Sequence, residues 1–155
     1  MPFKQLSVAV FVCGTLDIAY AILTVMLKGG TAAMVLRGVA SGPFGEAANG
    51  WGAGGAILGL AVHFAIMTVM VAAYFLLVTH TKLGAVSPWL AGAGYGLALY
   101  VFMYFVVLPL RWPTIHPQTD AIKIAMSLFP HIVLVGIPLA LIASHSVATL
   151  AKLSR

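Results

Sequence analysis

Apolar residues run through this chain in four long blocks, separated by short polar or glycine-rich stretches. The blocks cover residues 6–27, 53–78, 89–108 and 122–142. Each is close to the roughly 20 residues that a helix needs to cross a bilayer core. The blocks are continuous rather than alternating, which favours helices, and only helices or closed barrels satisfy the backbone inside lipid. The pattern therefore predicts an all-α membrane bundle of four transmembrane helices, in a single domain over residues 1–155.

The connections predict how the spans are joined. Spans two and three are linked by the short THTKLGAVSP, which indicates a hairpin. Spans three and four are linked by the proline-rich LRWPTIHPQTD, where Asp120 can cap the last span. The first connection is longer. Within it, TAAMVLRGVAS predicts a short helix lying at the membrane interface, with Arg37 towards the headgroups.

Composition supports a membrane protein and limits its partners. The chain is 62% hydrophobic and only 7% charged, whereas a soluble domain carries about 25% charged residues. The net charge of +5 comes from scattered bases, so we expect contact with lipid headgroups and no nucleic-acid partner. The one cysteine, Cys13, excludes a disulfide within the chain and a cysteine metal cluster.

The distribution of bases hardly decides the orientation in the membrane. An even number of spans puts both termini on one side, and that side carries as many bases as the opposite side. The two sets are Lys4, Lys82, Lys152 and Arg155 on the side of the termini, and Lys28, Arg37, Arg111 and Lys123 on the opposite side. The basic C-terminal AKLSR favours a cytoplasmic position for both termini.

Ionisable side chains within the spans fall near one depth. At about 1.5 Å per residue, His63 lies about 15 Å into span two, near the midplane of a core about 30 Å thick. The same arithmetic places Asp17, Tyr100 and His131 within roughly one turn of that depth, and Tyr104 shares a helix face with Tyr100. Intramembrane ionisable groups often mark relays or binding sites. These residues are the candidate site.

Asp17 needs a partner or a proton at this depth, because an ionised carboxylate there costs at least about 2.5 kcal/mol. His63 and His131 are the titratable groups nearest its level apart from tyrosines, so an Asp–His pair is expected. Pro130 adds an acceptor, since a proline leaves the carbonyl of Met126, one turn earlier, without its helical donor.

Small residues at four-residue spacing predict close helix contacts. Gly55 and Gly59 share a face with His63, and Gly92 and Gly96 share one with Tyr100. These two stripes lie in the hairpin-linked spans. They predict a tight contact between those spans or across a dimer.

Three interpretations of the polar layer stay open. The first is a pathway for a proton, an ion or a small solute through Asp17, His63 and His131; as a channel it would need a homo-oligomer, because one four-helix bundle leaves little lumen. The second is a non-catalytic accessory or scaffold protein that packs against another membrane protein, and in which these groups only tie helices together. The third is a redox or metal site, with His63 and His131 as axial haem ligands or all three residues as metal ligands. No cofactor is predicted by a motif, and no catalytic series indicates an enzyme.

Five stretches together resemble an uncharacterised family of small bacterial inner-membrane proteins, the YagU-like type. They are GTLDIAYA (14–21), LRGVASGPFG (36–45), LGLAVHFAI (58–66), YVFMYFVVLPL (100–110) and LFPHIVLVGIPLALI (128–142). The resemblance implies a four-span protein of the bacterial cytoplasmic membrane and supplies no catalytic residues. It also leads us to expect a small polar residue such as Asn where Tyr104 stands.

Overall fold

The structure is a computed structural model, and it describes residues 3–114, 116 and 118–153. No strand occurs among those residues. Their main elements are α1 (Phe3–Met26), α2 (Ala32–Phe44), α3 (Gly52–His80), α4 (Pro88–Arg111) and α5, which begins at Ala121 and ends at Leu153. The all-α fold class predicted from the sequence is confirmed.

Four helices are long and apolar enough to span a membrane: α1, α3, α4 and the part of α5 from Ala121 to His145. Each of them overlaps one of the four predicted spans and extends a few residues beyond it at one end or both. The extensions arise because capping and turn residues set the helix ends, whereas hydropathy sets only the apolar middle.

The spans form a ring in which consecutive helices alternate in direction. Neighbouring helices meet at Gly14–His63 (α1–α3), Met70–Tyr95 (α3–α4), Gly96–His131 (α4–α5) and Tyr20–Met126 (α5–α1). The Cys13 thiol also lies 3.5 Å from the Val135 carbonyl oxygen. Since Cys13 precedes Tyr20 while Val135 follows Met126, α1 and α5 run antiparallel.

A packed apolar core fills the half of the bundle near the termini. Leu139, Val71 and Cys13 are its largest fully buried side chains. Small residues such as Ala9 and Ala143 lie beside them with almost no exposed surface. Small side chains let the helices approach closely, and dispersion contacts then hold them together in lipid.

The predicted short helix between spans one and two exists as α2. The Thr31 hydroxyl accepts a hydrogen bond from the Met34 amide at its start, and Gly45, with φ 83°, ends it. α2 packs so closely on the first half of α3 that a Cβ atom on Gly59 would overlap the carbonyl oxygen of Leu36. The helix is therefore held against the bundle, and its position at the membrane interface stays a prediction.

Two of the spans contain a π-helical segment near a proline. In α4 it covers Met103–Val107, shortly before Pro109, and in α5 it covers Pro130–Gly136. A proline lacks the amide proton that the α-helical pattern requires, and a π-helical turn accommodates that break without ending the helix. The helix α5 continues through Pro130.

Candidate functional site

His63 joins α3 to α1 through the backbone. Its Nε2 lies 2.9 Å from the carbonyl oxygen of Gly14, and because a carbonyl oxygen only accepts, Nε2 carries the donated proton. The side chain is 7% exposed. The absence of a Cβ on Gly14 makes room for this contact, since a Cβ there would lie 2.7 Å from the ring of the neighbouring Phe64.

His131 lies in the π-helical segment of α5 and faces two tyrosines of α4. Its Nδ1 donates to the Ser127 carbonyl oxygen at 2.8 Å. Its ring centroid is 5.9 Å from that of Tyr100 and 6.0 Å from that of Tyr104. The two tyrosine rings stack on each other with centroids 4.7 Å apart. The structure thus brings three of the five predicted site residues into direct contact.

Asp17 lies half-buried on α1, within electrostatic reach of His131 and His63. The expected Asp–His ion pair does not form, because no ion pair within 4.0 Å and no hydrogen bond joins its carboxylate to the residues that the structure describes. Asp17 instead lines a cavity. A carboxylate at this depth is therefore left to be satisfied by whatever fills that cavity.

The carbonyl freed by Pro130 already has a donor in the protein. The Tyr20 hydroxyl donates to the Met126 carbonyl oxygen at 3.0 Å, and the Tyr20 ring packs against Phe129 with centroids 5.4 Å apart. The sequence predicted only that this carbonyl lacks its helical donor. In the structure it helps to fix α5 against α1.

The cavity has a volume of about 800 Å³ and lies between α1, α2, α4 and α5, with α3 closing its deep end. Asp17, His63, His131 and Tyr104 line it, while the buried Tyr100 lies beside it behind Tyr104. Its walls are largely apolar and include Val35, Val39, Met103, Val107 and Met126. A concave, mostly apolar space with a few convergent polar groups is typical of a small-molecule site.

Three bases line the cavity where α1 ends and α5 begins: Lys28, Arg111 and Lys123. Because Lys28 and Lys123 are exposed, we call this end of the cavity its mouth. Arg111 is bound to the protein, because its Nε donates to the Gly42 carbonyl oxygen at 2.6 Å and its Nη2 to that of Ser41 at 2.7 Å. Glu46 adds an ion pair with Arg111 at 3.4 Å. These contacts join the end of α4 to the end of α2, where a cation is favoured by the helix dipole.

The two glycine stripes face different neighbours. Gly55 and Gly59 lie against the segment that contains α2, and Gly92 and Gly96 lie against α5. A Cβ on Gly92 would come within 2.6 Å of the Gly136 carbonyl oxygen. The predicted contact between the two stripes is therefore not present, because each stripe is covered by another helix of the same chain.

No group of three His, Cys, Asp or Glu side chains within the described part of the chain is placed to hold a metal ion. Asp17, His63 and His131 share the cavity without converging on one point. Each histidine also has one ring nitrogen bound to a backbone carbonyl, which leaves its other nitrogen for any axial role. The haem interpretation stays a prediction.

Several cavity residues were not among the predicted site residues, namely Tyr20, Thr24, Lys28, Arg111, Lys123 and Ser127. The three bases carried a usable signal, because all of them fall at span ends on the side opposite the termini. Tyr20 carried no such signal. Its partner is a backbone carbonyl 106 residues away.

The chain matches no protein-family model, no curated protein and no solved structure in three comparisons. The resemblance to the YagU-like family therefore stays a prediction. What the fold defines is the class: a helical bundle with four helices able to cross a membrane.

Proposed function

We propose that this protein is a membrane pathway for a proton or a small solute, built around Asp17, His63 and His131. The observation that carries the proposal is the cavity, which is lined by all three groups and extends to Lys28, Arg111 and Lys123 at its mouth. Protein interiors are otherwise packed as densely as organic crystals. An open space ending at the ionisable layer is what a pathway requires and what a dry scaffold lacks.

In this proposal a cargo enters from the side of Lys28, Arg111 and Lys123. Beyond His63 the bundle is filled by the packed core around Val71 and Leu139. A protein that releases its cargo on the other side must open that core, so the proposal is a gated or alternating pathway rather than a continuous channel. The cavity belongs to one chain, and access to Asp17 does not depend on a homo-oligomer.

Asp17 is the proton-exchanging group in this proposal, and the two histidines tune it. The carboxylate has no hydrogen-bond or ion-pair partner among the described residues, and ionisation at the bilayer centre costs about 2.5 to 3.5 kcal/mol on insertion scales. Water, a proton or a bound cargo must offset that cost. His63 and His131 lie within electrostatic reach of this carboxylate and line the same cavity.

The membrane and orientation are part of the same proposal. We place the protein in the bacterial cytoplasmic membrane with both termini in the cytoplasm, supported by the basic C-terminus and the YagU-like resemblance. The cavity mouth then faces the periplasm.

A structural role for the histidines is favoured by one observation. Both of them already donate to backbone carbonyls, His63 to Gly14 and His131 to Ser127. Interhelical bonds of the first kind contribute about 0.6 kcal/mol on average in a membrane. A scaffold that packs against another membrane protein is the alternative function, and Asp17 distinguishes it from a pathway.

Proton flux into liposomes that contain purified protein tests the proposal. A pH-sensitive dye inside the liposomes reports the flux at several pH values. We expect Asp17→Asn to lower the flux at least tenfold, and His63→Gln to lower it while keeping a donor for the Gly14 carbonyl. The matched control is His80→Gln, which changes the same residue type outside the cavity, at the end of α3.

Two results would contradict the pathway. One is a folded wild-type protein with no flux above empty liposomes. The other is a flux that Asp17→Asn leaves unchanged. If both cavity variants only lower thermal stability, the scaffold is the better function.

A further inference from the structure

The acidic residues of the chain are too few to neutralise the bases at the cavity mouth. There are three acids in the whole sequence. Asp17 lies deep in the cavity, nine residues or about 14 Å along α1 from its end at Met26, and Lys28 follows two residues later. The two that remain are Glu46 and Asp120, both near the mouth, and their contacts decide which bases stay uncompensated.

Both carboxylate oxygens of Glu46 are bound by neighbouring side chains. One carboxylate oxygen accepts from the Trp112 indole at 2.7 Å and pairs with Arg111 at 3.4 Å, while the other accepts from the Asn49 side chain at 3.0 Å. Arg111 is compensated by this carboxylate and by two carbonyl oxygens at the end of α2. Arg111 and Glu46 are therefore structural parts of the mouth.

The Asp120 side chain caps the start of α5. Its Oδ1 accepts from the amides of Ile122 and Lys123 at 2.9 and 3.0 Å. It also interacts electrostatically with Lys123, without an ion pair within 4.0 Å. The ammonium groups of Lys28 and Lys123 thus have no hydrogen bond or ion pair to any described residue, and both side chains line the cavity.

The wall between this charged mouth and the polar layer is apolar. Val35 and Val39 of α2 face Met103 and Val107 of α4 across it. An occupant that suits the whole space has a negative group at the mouth and an apolar body further in. The volume of about 800 Å³ lies within the range of roughly 300 to 1,000 Å³ that drug-sized ligands occupy.

We infer that the cavity binds a small single-chain organic anion, a carboxylate with an apolar body, held at its charged end by Lys28 and Lys123. This inference rests on the proposed function, since it names the cargo class of the same cavity. It also explains why Asp17, a group that can take up a proton, lies in the same cavity. Inward movement of an anion together with a proton taken up at Asp17 carries no net charge.

Octanoate is the probe, with octylammonium as a cation of the same chain length. Binding is measured by calorimetry on protein in nanodiscs of zwitterionic phosphatidylcholine, with empty nanodiscs as the blank. We expect saturable binding of octanoate and at least tenfold weaker binding of octylammonium. Lys28→Gln and Lys123→Gln should each weaken octanoate binding about tenfold, which corresponds to about 1.4 kcal/mol. Lys82→Gln, at the opposite end of the bundle, should leave it unchanged.

Three outcomes would overturn the inference. Equal binding of octanoate and octylammonium would show apolar adsorption, and equal binding by wild type and the double lysine variant would show that the lysines only contact headgroups. The third uses nanodiscs that contain anionic phosphatidylglycerol. If that lipid removes octanoate binding and is retained by the wild type but not by the double variant, the occupant is a membrane lipid.

The flux assay keeps this inference separate from the proposed function. Proton flux that depends on Asp17, without octanoate binding, would refute the cargo class and leave the pathway standing. Octanoate binding that depends on the lysines, without proton flux above that of empty liposomes whether or not octanoate is added outside, would refute the pathway and leave a binding protein.

Discussion

The two halves of this bundle are built from the same four spans, yet their helices meet in different ways. Near the termini, Leu139, Val71 and Cys13 are fully buried among small neighbours. In the half near Lys28 and Arg111, α2 packs on α3, Arg111 joins the end of α2 to the end of α4, and a cavity lies among α1, α2, α4 and α5. The first half is closed by side-chain packing. The second half is open and is fixed at its edges.

Hydrogen bonds to backbone carbonyls hold the open half. Arg111 donates to Ser41 and Gly42, and Tyr20 donates to Met126. Lipid tails are as apolar as the side chains, so helices in a membrane associate through packing and polar contacts rather than the hydrophobic effect. Where packing is absent, polar contacts must define the geometry. Asp17, His63 and His131 lie at the boundary between the packed half and the open half.

The largest effect is expected at the contact of α4 with α5, which closes the bundle. In Gly96→Ala the new Cβ would overlap the His131 carbonyl oxygen and lie 2.7 Å from the Ile132 Cα. These are backbone atoms that cannot turn aside, so we expect a loss of about 3 kcal/mol in the free energy of unfolding. Thermal and denaturant unfolding in detergent measure it.

Gly94→Ala is the matched control, two residues away on the same helix. A Cβ there meets nothing within 4 Å. Alanine is the better helix former by about 0.5 to 1 kcal/mol, so this variant should be neutral or more stable. Equal losses in the two variants would mean that α4 does not pack on α5 as described.

The next effect compares the packed half with the open half through the same chemical change. Leu139→Ala removes a side chain with no exposed surface, and we expect a loss of about 2 kcal/mol or more, because a void remains in the core. Leu108→Ala removes one that lines the existing cavity, so the loss should stay below about 1 kcal/mol. Unfolding of both variants in the same detergent gives the comparison, and a reversed order would contradict the assignment of the two halves.

Much of the fold could be predicted because the hydropathy of the residues along the chain decides it. Long continuous apolar runs can only be helices in lipid, and the predicted spans differ from the helices only at their ends. A common level for Asp17, His63 and His131 was predicted from helix rise, because the rise per residue is nearly constant. All three line one cavity, and their depth in a membrane stays a prediction.

The partners of these groups could not be predicted, because they are set by tertiary contacts. His63 is bound to a backbone carbonyl rather than to Asp17, and every residue offers a carbonyl, so no sequence pattern marks the right one. The glycine stripes predicted close contacts but not with which helix. Gly59 meets α2, and the packing of α2 on α3 leaves no periodic signal in the sequence.

The smallest effect concerns the start of α5, at the edge of the open half. The amide hydrogen bonds from Lys123 and Ile122 hold the pKa of Asp120 below its ordinary value of 3.8. A lowered pKa in the folded state means that the cap stabilises the helix fully above about pH 4 to 5 and is lost as the pH falls through the folded pKa, below 3.8. Hydrogen exchange of the Ile122 and Lys123 amides, measured from pH 6 to 2.5 in detergent, should therefore accelerate at low pH relative to Asp120→Asn. Asparagine caps a helix about as well and does not titrate, so a constant ratio between the two proteins across this range would show that the carboxylate cap does not stabilise the mouth.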